Sequence, residues 1–181
     1  TVLVGEEIVV EETSMPTPAN VSAVPGLIDV PLRELAALPV FLGERDLFQS
    51  LQWMPGVRQS AEIGGALTVR GAETDQNLYL LDGVPVYHPW HTFSLFSTFQ
   101  EEALKNVQLY KGAFPARYGG RLSAVLDTQM KDGRRDEPSV MAAISPISLR
   151  SVAEVPLTPD VSLMVAGRRS YLDLIFGRKR P

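Results

Sequence analysis

The sequence predicts an α+β fold, in which a small mixed β-sheet with short helices is followed by further strands. Residues 105–133 predict a strand, a glycine-rich loop and a second strand, since apolar and polar residues alternate on both sides of Tyr118-Gly119-Gly120. An amphipathic helix lies upstream, in residues 44–54. After Gly133, two alternating segments are joined by a short turn. The chain therefore divides into a mixed domain and a shorter all-β segment.

The composition is that of a folded protein, and it excludes several classes of function. The 181 residues are 45% hydrophobic and 21% charged, which is enough for one sizeable core. The sequence has no cysteine, so disulfides and thiolate metal sites are excluded. No apolar run approaches the roughly 20 residues of a membrane-spanning helix. Basic residues prevail after residue 104 but are spread over strands and turns, so we expect no nucleic-acid partner.

The first 25 residues predict a short extended segment followed by a linker. Val2–Glu12 contains the β-forming run Ile8-Val9-Val10 between glutamates. It lacks a basic region followed by an apolar one, so we expect no signal peptide here. Thr13–Pro25 holds three prolines, which cannot donate ladder hydrogen bonds and favour an extended linker.

One helix face packed on one sheet forms the predicted core. The helix spans Glu44–Met54, has Leu47, Phe48 and Leu51 on one apolar stripe, and ends at Pro55-Gly56. We expect this stripe to cover a single sheet. The predicted strands of that sheet are Ala66–Arg70, Asn77–Leu81, Asn106–Tyr110 and Leu122–Gln129.

A second, shorter helix is predicted at Thr98–Leu104, directly before the third of these strands. Gln100, Glu101 and Glu102 would lie on its exposed side, because charged side chains normally face water.

Residues after Gly133 predict two strands, Ile147–Val155 and Val161–Ala166, joined by a turn at Pro156–Asp160. Alternating segments of about ten residues with a short turn are typical of transmembrane barrel strands, and a soluble hairpin has the same periodicity. A closed membrane barrel needs at least about 8 strands, so two strands would be only its beginning.

An aromatic loop, Tyr87-His88-Pro89-Trp90-His91-Thr92-Phe93, follows the turn at Asp82-Gly83. Rings with polar tips favour ligand contact, so Tyr87, His88, Trp90, His91 and Phe93 are candidate ligand-binding residues. The alternatives are plain packing of an irregular loop and a metal site on His88 and His91. Because Pro89 interrupts a helix and no carboxylate is near, we expect no metal.

Other chemical constellations are absent from the sequence. The glycines between Gly112 and Gly120 are followed by a strand, whereas a phosphate-binding loop opens a helix. No Gly-x-Ser-x-Gly element accompanies Ser94 or Ser97. We therefore expect neither an enzyme nor a cofactor.

Arg70 and Lys111 each end a predicted strand at a glycine turn. If the domain sits inside a larger wall, these cations could pair with carboxylates of that wall. The alternative is an ordinary surface position, where an ion pair contributes little.

Four motifs in this order resemble the plug domain of TonB-dependent outer-membrane receptors, most closely that of the Bacteroidetes-type lineage. The motifs are Leu51-Gln-Trp-Met-Pro-Gly-Val57, Leu67-Thr-Val-Arg-Gly71, Asp75-Gln-Asn-Leu-Tyr-Leu-Leu-Asp-Gly-Val-Pro-Val-Tyr87 and Val107-Gln-Leu-Tyr-Lys-Gly-Ala-Phe-Pro-Ala-Arg-Tyr-Gly-Gly-Arg-Leu122. The resemblance implies a TonB-box-like segment and linker in residues 1–20, a plug in 21–132, and the start of a β-barrel in 133–181.

The resemblance also implies a function: gating the energy-coupled uptake of a scarce or large nutrient, such as a siderophore, cobalamin, glycan or peptide. Glu7, Ile8, Val9, Val10 and Glu11 would bind a TonB-type protein, as a TonB box does. Arg70 matches a plug arginine that pairs with barrel carboxylates, and Lys111 stands where many members have a second arginine. The implied location is the outer membrane, inside the barrel. The alternative is a stand-alone plug-like module that docks into a separate barrel or binds a glycan or peptide.

Overall fold

The structure is a computed structural model that describes residues 26–35, 40, 43–60, 66–91 and 96–171. In chain order, its elements are β1 (Leu27–Asp29), α1 (Leu32–Leu35), α2 (Leu47–Leu51), β2 (Val57–Gln59), β3 (Leu67–Val69), β4 (Asn77–Leu81), β5 (Val84–Pro85), β6 (Trp90–His91), β7 (Phe96–Ser97), β8 (Leu104–Lys111), β9 (Ala124–Met130), β10 (Ser139–Ile144), β11 (Ser148–Thr158) and β12 (Val161–Ser170). Within these ranges, no helix has the length and apolar character needed to cross a membrane.

A five-stranded mixed sheet forms the centre of the first part, with strand order β1-β8-β9-β4-β5. Strands β4 and β9 are parallel, with Asn77 opposite Ala124 and Leu81 opposite Thr128, and the other pairs are antiparallel. Val107 and Leu109 on β8 are almost fully buried, as their alternation with polar neighbours predicts. The predicted α+β fold with a small mixed sheet is confirmed.

Helix α2 is shorter than the predicted Glu44–Met54. Asp46 begins it as the N-cap, because its side chain accepts hydrogen bonds from the backbone N–H groups of Phe48 (3.0 Å) and Gln49 (3.2 Å). Glu44 therefore precedes the helix instead of lying in its first turn, and it is buried. The helix is followed by a turn in which Gly56 has a φ of 78°, a conformation that glycine adopts without strain.

Phe48 on α2 lies at the centre of the core, as predicted. Its ring centroid is 5.3 Å from that of Tyr79 on β4 and 5.9 Å from that of Phe99, both in tilted arrangements. Leu47 and Leu51 are fully buried beside it. The apolar face of this short helix thus packs in one core with the buried side chains of the sheet.

The prediction that residues 66–70 join the main sheet is wrong. Strand β3 pairs with β2 in a separate two-stranded sheet, with Val69 opposite Val57. The sequence does not predict strand β2, which is the antiparallel partner of β3. Side chains connect β3 to the larger sheet instead: Asn77 Nδ2 donates to the carbonyl of Leu67 (2.6 Å), and Ser123 Oγ donates to that of Val69 (3.1 Å).

Two smaller predictions also need correction. Strand β9 begins at Ala124 and not at Leu122, which is 83% exposed; the backbone N–H groups of Leu122 and Ser123 are both directed to the carbonyl of Gln76. The short helix before β8 is a 3₁₀ turn, Glu101–Ala103. Glu101 in that turn is buried, and a hydrogen bond from Ser50 Oγ at 3.0 Å replaces part of the hydration that its carboxylate loses.

The last part of the described chain is a three-stranded antiparallel meander, β10-β11-β12, where two strands were predicted. Strands β11 and β12 are long and pair from Ser148 opposite Ser170 to Thr158 opposite Val161. Val161, Leu163 and Val165 lie on the exposed face of β12. The predicted hairpin is therefore present, with one further strand before it.

Candidate functional site

A cavity of about 320 Å³ lies at the edge of the main sheet, between the 3₁₀ turn Thr74–Gln76 and the aromatic loop that follows β5. Its lining includes Asp75, Asn77, Tyr87, His88, Trp90 and Arg121. Three of the five predicted ligand-binding residues, Tyr87, His88 and Trp90, are therefore brought together.

The backbone turn at Asp82-Gly83 places the aromatic loop at this edge. Both residues have positive φ, 49° and 79°, which reverses the chain so that β5 runs antiparallel to β4. The pairing ends with Val86 N donating to the carbonyl of Tyr79 at 2.9 Å. Tyr87 and His88 therefore lie beside the beginning of β4 and not beyond its end.

The cavity combines exposed rings with one charge of each sign. Tyr87 is 77% exposed, and the His88 and Trp90 rings form an edge-to-face pair with centroids 5.9 Å apart. Asp75 and Arg121 add a carboxylate and a guanidinium. Such a surface offers stacking area together with hydrogen-bond donors and acceptors, which is the usual chemistry of a small-molecule site.

Sequence analysis missed Asp75 and Arg121 as partners of the aromatic loop. Arg121 precedes β9, and it reaches the cavity because β9 runs parallel to β4 and its start is hydrogen-bonded to the carbonyl of Gln76. Local patterns do not reveal such a parallel pairing, because the paired segments are more than 40 residues apart in sequence.

The other two candidates in this loop have different outcomes. His91 lies on β6, where it pairs with Phe96 on β7. Phe93 lies outside the described residues. In the described part of the chain, no group of three or more His, Cys, Asp or Glu side chains could hold a metal ion.

Arg70 and Lys111 lie close together. Each stands directly before a glycine, at the turns that follow β3 and β8. Arg70 has a φ of 54°, and its Nη1 atom lies 3.3 Å from where a Cβ at Gly112 would stand. Lys111 Nζ donates to the carbonyl of Pro55 at 2.8 Å. Burial, and next the positive charge of Arg70, lower the pKa of Lys111. Neither cation forms an ion pair with a carboxylate of the described residues.

An acidic face, formed by Glu44, Asp46, Glu101 and Glu102, was not predicted as a functional feature. Glu44, Asp46 and Glu101 are buried, and Glu102 has a side chain that is 12% exposed. Burial is the main cause that raises the pKa of Asp46. This acidic face lies against the meander, where Arg150 and Arg168 approach it.

Glu101 makes folding stability depend on pH. Burial first, and the nearby carboxylates of Asp46 and Glu102 next, raise its pKa above the usual 4.5. A raised folded-state pKa means that the folded protein binds this proton more tightly, so stability falls as the pH rises from 4.5 through the folded-state value. We expect Glu101→Gln, which keeps an acceptor for Ser50, to raise the free energy of unfolding at pH 7 by about 1 kcal/mol. Urea unfolding at pH 7 and pH 4 measures this.

The same experiment has a matched control in Glu73→Gln, because Glu73 is exposed. At pH 4 the Glu101→Gln variant should have nearly the stability of the unmodified protein, since both then carry a neutral group. Equal stability of the two proteins at pH 7 would contradict the assignment of a buried charge to Glu101.

Comparisons with known proteins identify the domain that carries these sites. Residues 40–125 match the family model of the TonB-dependent Receptor Plug Domain. A search of curated proteins found no match.

Solved structures share the fold. The siderophore receptor PirA from Acinetobacter baumannii is 22% identical with a TM-score of 0.60, and the match covers 81% of this chain and 24% of that receptor. PirA from Pseudomonas aeruginosa is 21% identical with a TM-score of 0.56, over 81% of this chain and 28% of that receptor. The ferric enterobactin receptor PfeA from Pseudomonas aeruginosa, in complex with enterobactin, is 22% identical with a TM-score of 0.59. The match covers 80% of this chain and 24% of that receptor. This chain thus spans about a quarter of the length of the receptors it matches.

The matched residues include α2, strands β4, β5 and β8 of the main sheet, the cavity with its aromatic loop, and Arg70 with Lys111. A small mixed sheet with short helices, followed by long alternating strands, is the architecture that the four motifs imply. Residues 40–125 of this chain are therefore a plug domain of the TonB-dependent receptor family.

Proposed function

We propose that this chain is the plug and first wall strands of an outer-membrane receptor, and that it gates the energy-coupled uptake of a scarce or large nutrient. The observation that carries the proposal is the aromatic cavity on a plug domain. Tyr87, His88 and Trp90 lie at the edge of the sheet, with Asp75 and Arg121 beside them. A receptor needs such a surface to hold its nutrient before transport, and no chemical conversion is involved.

The meander supports the second part of this proposal. Val161, Leu163 and Val165 form an exposed apolar row on β12, and Val155 and Leu157 extend it on β11. An alternating strand with one apolar outer face suits a wall whose outside contacts lipid. The strands β10–β12 would then be the beginning of a barrel that encloses the plug in the outer membrane.

Arg70 and Lys111 fit a contact with the rest of that wall. They form a pair of cations without a carboxylate partner among the described residues, and Arg70 is exposed. Two adjacent cations repel each other, so carboxylates of a surrounding wall would relieve this repulsion. We assign both residues to barrel contact in the complete receptor.

Energy coupling is assigned to Glu7, Ile8, Val9, Val10 and Glu11, which lie outside the described residues. The assignment depends on the sequence alone: a β-forming run before a proline-rich linker can add a strand to a partner's sheet edge. The partner would be a TonB-type protein.

The nutrient-binding part of the proposal is tested by truncating an exposed ring. In a complete receptor carrying this plug, we expect Tyr87→Ala to weaken nutrient binding by about tenfold, because an aromatic contact surface contributes roughly 1–1.5 kcal/mol. Isothermal titration calorimetry of the purified receptor with its nutrient measures this. Because Tyr87 is 77% exposed, its truncation should leave folding intact.

Trp53→Ala is the matched control, since Trp53 is 66% exposed and does not line the cavity. It removes a larger ring from the same domain and should leave the affinity unchanged. If both variants bind the nutrient like the unmodified receptor, the cavity is not the nutrient site.

A further inference from the structure

Two arginines lie side by side on neighbouring strands of the meander. Arg150 on β11 and Arg168 on β12 are direct partners in the strand register, so both project from the same face of the sheet. Arg150 is 5% exposed. Like charges opposite each other on neighbouring strands are destabilising, so this pair needs compensation from outside the meander.

The acidic face of the plug provides that compensation for Arg150. Its Nη1 atom lies 2.7 Å from Glu102 Oε1, and its Nε atom lies 3.5 Å from Glu44 Oε2. Two hydroxyls of the meander, those of Ser145 and Ser148, donate to the other oxygen of Glu44. Glu44 therefore contacts three side chains of the meander.

Arg168 contacts the plug at a second point, separate from the contacts of Arg150. Its Nη2 atom donates to the carbonyl of Ser97 on β7, and its guanidinium carbon lies 5.9 Å from the centre of the Phe96 ring. The N–H of the same Ser97 donates to Asp46, the cap of helix α2. Through Ser97, Arg168 is thus connected to the helix that organises the plug core.

A buried ion pair of this kind adds little net stability, yet breaking it is costly. Pairing only offsets the loss of hydration, whereas removing one partner leaves an uncompensated buried charge. A shift of β11 by one residue would turn Arg150 to the other face of the meander. Such a shift would leave Glu44 and Glu102 buried without a cation, so the arginine selects one register.

We propose that the acidic face is a docking site for the first strands of the surrounding wall, and that Arg150 sets the register in which they dock. The partner that fits is a pair of antiparallel strands carrying two adjacent arginines. The signs of the charges are the reverse of those in the contact assigned to Arg70 and Lys111. Here the plug contributes the carboxylates and the wall contributes the arginines. The proposal rests on the proposed function in taking the meander as the start of the wall, and it does not depend on the nutrient or on energy coupling.

Site-specific labelling of the 181-residue chain tests the proposal, since these residues include no cysteine. Val152→Cys places a thiol on β11, on the same face as Arg150, at a position that is 3% exposed. The rate at which iodoacetamide labels this thiol reports how often the meander leaves the plug. We expect Arg150→Gln to raise this rate by about 100-fold, in line with the cost of leaving a buried partner uncompensated.

Arg134→Gln is the matched control, because Arg134 pairs with Asp136 and Glu137 at the exposed surface of the same segment. It removes the same charge and should change labelling less than about twofold, as surface pairs contribute little. A second thiol, Val107→Cys in the buried centre of β8, should stay protected in every variant. A rise at both thiols alike would overturn the proposal, since the loss of Arg150 would then unfold the whole molecule.

Glu102→Gln keeps the test decisive if Arg150→Gln does not fold. It neutralises the pair from the plug side and should raise labelling of Val152→Cys by about tenfold, with Glu137→Gln as its surface control. If both Glu102→Gln and Arg150→Gln label at the rate of their controls, the acidic face does not hold the meander.

Discussion

Val9→Pro is expected to abolish energy-dependent uptake in a complete receptor that carries this plug. Strand addition depends on backbone hydrogen bonds, and proline removes one donor and restricts φ in the middle of the run Ile8-Val9-Val10. Uptake of the nutrient into energised cells measures the effect. Nutrient binding should be unchanged, because Tyr87 and the cavity belong to a different segment of the chain.

Val9→Ala is the matched control for this substitution. It shortens the side chain and keeps the backbone donor, so only a mild loss of uptake is expected. Together with Tyr87→Ala, which should affect binding, the two variants separate holding the nutrient from moving it. If Val9→Pro supports uptake at the unmodified rate, residues 7–11 are not the coupling element and are better assigned to the last strand of a preceding domain.

Phe48→Ala should lower the free energy of unfolding by about 4 kcal/mol, the usual cost of emptying a large aromatic site in a core. Phe48 is 2% exposed and lies between the rings of Tyr79 and Phe99, so its loss leaves a cavity that neighbours cannot fill without moving. Chemical denaturation of the 181-residue chain measures the change. A domain of this size has only about 5–15 kcal/mol of stability, so the variant should be close to unfolding at 37 °C.

Phe48→Leu is its control, because leucine fills most of the same volume. We expect a loss of about 1 kcal/mol, within the range for swaps that nearly conserve volume. Equal and small effects of both substitutions would mean that α2 does not anchor the plug core.

Strands whose burial follows from local alternation could be predicted from the sequence. Val107 and Leu109 on β8 face the core because their neighbours are polar, and the glycine turns at Gly83 and Gly112 mark where the strands end. The helix stripe of Leu47, Phe48 and Leu51 was equally clear. Periodicity is a local property, so it predicts elements better than it predicts their partners.

Three of the four strands predicted for one sheet share it, as β4, β8 and β9, but the pairing of β3 could not be predicted. The alternation in β3 fits the main sheet equally well, because nothing in its own residues shows that β2, three residues long and directly after a turn, is its partner. The sequence predicts Glu101 on the surface because acidic residues usually lie there, whereas its hydrogen-bond partner in the core, Ser50, is 51 positions away in sequence.

The candidate sites also contain residues that one segment of sequence reveals and residues that only the fold brings together. The aromatic residues Tyr87, His88 and Trp90 were visible as a cluster in the sequence, and the structure adds Asp75 and Arg121 to their cavity. The contact between Glu44 and Arg150 could not be predicted, since each residue alone resembles an ordinary surface charge. Only the fold brings together a residue from before α2 and one from β11.

The two turns of the meander differ in a way that bears on how such chains can lengthen during evolution. The turn between β10 and β11 is packed against the plug: Ser145 and Ile147 are buried, and a Cβ at Gly43 would lie 3.3 Å from Pro146. The turn between β11 and β12, at Pro159-Asp160, is fully at the surface. Inserted residues are accommodated where backbone is exposed and not where it is packed. Descendants of this sequence can therefore grow a new loop at the second turn, whereas an insertion at the first would separate Ser145 from Glu44.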